Sequence, residues 1–254
     1  MITLTDSIRK NALGWSGKLG WTEGFTTILR HEACTVDLPG GPLDVRGDEY
    51  LTALLVGGRI RALQWCDYEG SIGQNLVRAT SSNGTSAVSA FREAVSASVL
   101  GDTHRAVHFS EALTIIAAGS YTLSLEEIPP DAYVVDLVHQ SGDDLEVAKF
   151  YPGFGALVAT QPLNTLSASR VDELCDEIRN GARPIVITLS ADGAWGEFII
   201  DGHHKISAYR QANVPILRLN VVRLDSARIS LEEVWDAVPD IEGLRENLMG
   251  NWPG

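Results

Sequence analysis

The run "EFIIDGHHKISAYRQA", residues 197–212, sets a carboxylate, a glycine, two imidazoles and an ammonium side by side as Asp201, Gly202, His203, His204 and Lys205. Those residue types in that order suit the binding of an anion. The apolar, β-branched stretch Phe198, Ile199 and Ile200 before them reads as a strand. Ile206, Ala208, Tyr209 and Ala212 after them keep helix-like spacing. The cluster therefore falls on a strand-to-helix turn, where main-chain N–H groups lack intrahelical partners and the helix dipole favours negative charge. Gly202 lets the main chain approach an anion closely. The plainer reading is an aspartate N-cap followed by two solvent-facing histidines. A zinc site is disfavoured, because adjacent helical residues point about 100° apart and rarely ligate one ion.

The elements that must hold this turn are legible around it. "GALVAT" reads as a strand, and "SASRVDELCDEIRNG", residues 167–181, as a capped helix. Ser167 or Ser169 supplies its N-cap, Val171, Leu174 and Ile178 its apolar stripe, and Gly181 its stop. Ser167, Ser169 and Arg170 are either a plain helix start or a second phosphate clamp beside the same sheet. "RPIVITL" and "WGEFIID" read as strands, "HHKISAYRQAN" as a helix and "PILRLNVVRL" as a last strand. Tyr209 is expected in the core and Arg210 toward solvent or a ligand. Ser230 and Glu233 have capping-box spacing at a short final helix. The order β-α-β-β-α-β calls for a compact mixed α/β layer.

That order, with "RVDELCDEIRNGARPIVITL" followed by "FIIDGHHKISAYRQANVPIL", resembles the ParB/sulfiredoxin superfamily over about a quarter of the chain, residues 156–222. The "DGHHK" turn is most similar to the DGHHR-type turns of ParB-like small-molecule kinases such as the free serine kinases. It is further from the GERR box of CTP-binding partition proteins and from the GCHR turn of sulfiredoxin. The resemblance implies that Gly202, His203, His204 and Lys205 bind nucleotide phosphates. Lys205 and one histidine would add donors, and Asp201 would hold Mg²⁺ or orient an attacking hydroxyl. Asp201, His204 and Lys205 are thus the implied catalytic residues. ATP or another nucleoside di- or triphosphate with Mg²⁺ is the implied cofactor set. The related kinases carry a glutamate in the loop before the first helix; here that loop reads "TQPLNTLSASR" and holds no carboxylate. A base would then come from Asp172, Glu173 or the N-terminal region. The sulfiredoxin cysteine position is histidine here, which disfavours sulfinic-acid reduction.

The rest of the chain sets bounds. Its 254 residues carry a net charge of −13 and are 44% hydrophobic, a globular balance whose acidity argues against nucleic acid as partner and against a nuclease. Cys34, Cys66 and Cys175 lack CxxC spacing, so a disulfide or cysteine zinc site is disfavoured and a reducing cytoplasm is expected. No apolar run approaches the ~20 residues that span a bilayer. Residues 25–71 alternate as strands with "PGGP" and "GG" turns, and residues 84–101 read as a helix ending at Gly101. His104 and His108 have helical metal-pair spacing but no HExxH context, so packing or surface is the expected role. The Pro-Pro pair of "EEIPPDAY" suggests a division into a β-rich α+β domain over 1–130 and a ParB/sulfiredoxin-like domain over 131–254.

The expectation is an α/β (α+β) cytoplasmic, bacterial protein that binds nucleotide and Mg²⁺ and transfers or hydrolyses a phosphoryl group, with a small molecule or peptide as acceptor. The alternative is a non-catalytic nucleotide-gated switch or partner-binding protein.

Overall fold

A computed structural model describes residues 18–22, 26–30, 34–38, 40–48, 50–66, 74–79, 113, 115–136, 139–141, 145–150, 156–235, 237–238, 243–250 and 252. The helix expected over 84–101, with His104 and His108, lies outside them. The described elements begin with β1 (Lys18–Thr22), β2 (Thr26–Arg30), β3 (Cys34–Leu38), β4 (Leu43–Gly47), β5 (Leu51–Val56), β6 (Arg59–Cys66) and β7 (Gln74–Ala79). β8 (Gly119–Ile128), β9 (Val134–Val135), β10 (His139–Ser141) and β11 (Leu145–Phe150) follow. Then come β12 (Ala156–Val158), a 3-10 turn (Leu163–Thr165), α1 (Ala168–Arg179), β13 (Val186–Ala191) and β14 (Gly196–Asp201). The last are α2 (His203–Ala212), β15 (Ile216–Arg223), α3 (Leu231–Trp235) and α4 (Leu244–Gly250).

The fold is mixed α+β. A nine-stranded sheet runs β1-β2-β8-β15-β13-β14-β12-β9, with β3 also beside β8. A six-stranded antiparallel sheet runs β10-β11-β7-β6-β5-β4. In the larger sheet β13 runs parallel to β15 and β12 parallel to β14, while β14 is antiparallel to β13 and β8 antiparallel to β15. The expected order β-α-β-β-α-β is present as β12-α1-β13-β14-α2-β15.

Alternation of side chains fixes the layers. Val45, Leu54, Val56, Ala62 and Leu76 of the smaller sheet pack against Tyr121, Leu123, Ile187, Leu189, Phe198 and Val221 of the larger. The other face of the larger sheet presents Ile128, Val186, Ile199 and Ile216 to Leu174, Cys175 and Ile178 of α1 and Ile206 and Tyr209 of α2. Leu51, Ala53, Leu63 and Trp65, on the outer face of the smaller sheet, pack with Ile229, Val234, Val238 and Leu248 of the C-terminal helical region. Helices, large sheet, small sheet and helices therefore stack in that order.

Strands from both sides of residue 130 share both sheets. β8 sits beside β15 in the larger one, and β11 beside β7 in the smaller. Among the described residues no helix is long and apolar enough to cross a membrane.

Candidate functional site

The turn between β14 and α2 is built on Gly202, whose φ of 117° is a conformation side-chain-bearing residues rarely adopt. A Cβ there would lie 3.0 Å from Val186 Cγ2 and 3.1 Å from Val186 Cα. Close packing against β13 therefore demands the glycine whatever the ligand. As the N-cap of α2, Gly202 brings no capping side chain, so the first turn of the helix gets no cap hydrogen bond. Asn213 ends α2 in the left-handed conformation and returns its N–H to Arg210 O and Tyr209 O.

The basic side chains of the turn point into the protein. Lys205 Nζ donates to the carboxylate of Asp201 and, at 2.9 Å, to Ile185 O. The Lys205 and Asp201 side chains are only 13% and 10% exposed, so this is a sheltered pair one helical turn apart. His203 is buried, and its Nε2 accepts the N–H of Thr160 at 3.1 Å. His204 Nε2 accepts the N–H of Ser167 at 3.0 Å. An amide N–H only donates, so each Nε2 carries a lone pair and each imidazole is in a neutral form.

These two histidine bonds clamp the loop after β12 onto the start of α2. Thr160 also donates its hydroxyl to Ile199 O, and Leu163 N–H donates to Asp136 Oδ2 at 2.9 Å. Ser167, and not Ser169, is the N-cap of α1: its Oγ accepts Arg170 N–H at 3.4 Å and lies 2.9 Å from Ser169 Oγ. The result is a junction of two helix N-termini joined by one imidazole. Asn164, Thr165, Ser167 and Ser169 are exposed at this junction, whereas Asp201, Gly202 and His203 are buried.

Arg170 lies along α1, with Nη1 2.9 Å from Glu173 and 3.7 Å from Glu177. Arg210 reaches the carbonyls of Pro130 and Ala132, a ligand-free role in bracing α2. Tyr209 is fully buried, as expected, and donates to Pro184 O at 3.0 Å; burial pushes its phenol pKa up. Thr160 and Asp136 were not singled out in the sequence. The polar residue directly after the "ALVA" strand is the one signal that points to Thr160.

Mg²⁺ at a nucleotide site usually keeps several waters and takes one or two protein carboxylates. Asp201 is the turn's only carboxylate, and a divalent cation placed on it would face the Lys205 ammonium. No group of three or more His, Cys, Asp or Glu that could hold a metal ion occurs among the described residues. The donor set of the turn does not fit a protein-held Mg²⁺.

A second polar assembly lies at the other end of β14. The β8–β15 register sets Glu126 opposite Arg218, and the β13–β15 register sets Thr188 opposite Asn220. Arg218 donates to Glu126 Oε2 from Nη2 at 2.7 Å and from Nε at 3.1 Å, and also donates to Glu197. Thr188 Oγ1 is 3.2 Å from both Glu197 Oε2 and Asn220 Oδ1, and Ser124 donates to Glu126 at 2.7 Å. All six residues are buried. Burial pushes the Glu197 carboxyl up, Arg218 opposes that, and Glu126 adds to it.

No protein-family model, curated protein or solved structure matches this chain.

Proposed function

We propose that this chain is a nucleotide-binding protein of the ParB/sulfiredoxin-like type that holds phosphate at the junction of α1 and α2 and transfers the phosphoryl group to a small-molecule or peptide acceptor. One observation carries the reading: α2 starts at a glycine that supplies no side-chain cap, and His204 ties that start to the N-cap of α1. Two helix N-termini meeting in this way direct main-chain N–H groups and positive dipole ends toward one place. The hydroxyls of Ser167 and Ser169 stand exposed beside it and can donate to phosphate oxygens. Phosphoryl transfer asks chiefly for positioning and charge stabilisation, which such a frame supplies.

A second reading, a nucleotide-responsive module without turnover, is favoured by the Asp201–Lys205 pair. It occupies the turn's carboxylate and ammonium with each other. Turnover assays separate the two uses, and binding tests both. Saturating ADP, ATP or CTP should raise the melting temperature of the full chain. A ligand at 100 times its dissociation constant adds about 2.7 kcal/mol to the stability of a protein that binds it only when folded. An unchanged melting curve with ADP, ATP, CTP and GTP would remove the nucleotide reading.

A further inference from the structure

Lys205 and Asp201 have the residue types expected of a phosphate ligand and a metal ligand. Their geometry gives them another task. The segment entering β13 meets α2 at three successive points. Tyr209 donates its hydroxyl to Pro184 O at 3.0 Å, and Lys205 donates its ammonium to Ile185 O at 2.9 Å. Gly202 packs on Val186 so closely that a Cβ would sit 3.1 Å from Val186 Cα. These contacts fix the rotation and height of the helix start relative to the sheet. Of the three, the lysine contact depends on a charge, and that charge is sheltered from solvent. Asp201, one turn before Lys205, supplies the compensating carboxylate.

We infer that Asp201 and Lys205 form a clasp that positions the N-terminus of α2 against β13, and that neither touches the phosphate or holds its cation. This rests on the reading of the α1–α2 junction as a phosphate site and assigns two of its residues a positioning role. The phosphate is then met by main-chain N–H groups and serine hydroxyls. A Mg²⁺ arriving with a nucleotide is held by phosphate oxygens and water. The clasp explains why an acid stands beside an anion site: its charge is cancelled internally by the lysine, so the dipole end is not opposed.

The three roles separate in a rescue experiment on the full chain with Asp201→Asn, Lys205→Met and the double variant. Each single change strands one sheltered charge, whereas the double change removes both and keeps side-chain volume. The clasp predicts that each single variant lowers the urea midpoint and weakens ADP binding at least fivefold. It also predicts that the double variant, which loses the Ile185 contact but strands no charge, recovers part of both losses, and that the gain in ADP affinity on adding Mn²⁺ stays within twofold of the parent. A lysine that contacts phosphate leaves the double variant as weak for ADP as Lys205→Met. A carboxylate that holds the cation makes the Mn²⁺-dependent gain disappear in both variants lacking Asp201. Either of those results, or stability losses that simply add in the double variant, overturns the clasp. If the parent binds no ADP, the nucleotide reading falls and the urea midpoints alone decide whether the pair is a clasp.

Discussion

The two ends of β14 carry similar chemistry in different settings. At the start, Arg218 donates to both Glu197 and Glu126 in a buried set. At the end, Asp201 meets Lys205, one carboxylate to one ammonium, beneath a turn whose neighbouring loop is open to solvent. The first end holds the Glu197 carboxylate in a medium that opposes its charge, and proton uptake is the direction in which burial pushes it. Burial of Glu197 therefore marks the first end as the one where a pH response is expected.

The most severe way to break this comparison is Arg218→Met, which removes the guanidinium that two buried carboxylates share. A loss of about 3–5 kcal/mol is expected in urea unfolding, because removing one partner leaves the others uncompensated. A loss below about 1 kcal/mol would show that the set is hydrated and not buried. At the opposite end Gly202→Ala should cost about 1–3 kcal/mol, through its positive φ and the contact with Val186. An alanine variant as stable as the parent would mean that the turn relaxes freely. The mildest change, Glu197→Gln, sharpens the contrast by removing the carboxyl that burial pushes toward proton uptake. The folded protein holds the Glu197 proton more tightly than the unfolded chain, so the folded state binds more protons between the unfolded value near 4.5 and the raised folded value. Stability from this group is therefore highest at or below the unfolded value. It falls as pH rises through that window by at most about 1.4 kcal/mol per pH unit, then levels. The glutamine variant should lose that fall; urea midpoints with the same pH slope in both proteins would place the pH response elsewhere.

Much of the frame around the turn was readable from residue order. "RIRALQWC" coincides with β6, and the preceding Gly57 and Gly58 adopt the positive φ values of 58° and 76° that a tight hairpin turn demands. Ser230 and Glu233 exchange the reciprocal capping-box bonds at 2.8 and 3.2 Å. Ser167 caps α1, and Tyr209 is core. The buried ion set was invisible for a definite reason. Tyr121, Leu123 and Leu125 alternate with Thr122, Ser124 and Glu126, a pattern that normally means a wet face, and only the β15 register reveals Arg218 opposite Glu126. The inward turn of Lys205 and the acceptor role of both histidines likewise depend on where Ile185, Thr160 and Ser167 arrive in space. Residue types marked the site, but a long-range contact decides whether a lysine serves a ligand or a neighbouring strand.

The pairing of β8 with β15 has a consequence for how the chain is made. Glu126 and Arg218, opposite one another, are 92 positions apart, and β15 is inserted between β8 and β13. A ribosome releases β8 and β13 first, so each waits with an unsatisfied edge until the last long strand emerges. Closure of the larger sheet is thus a late, high-contact-order event, the kind that is slow and leaves strand edges open to wrong partners in the interval. A chain halted before residue 216 would have finished strands on both sides of an empty central lane.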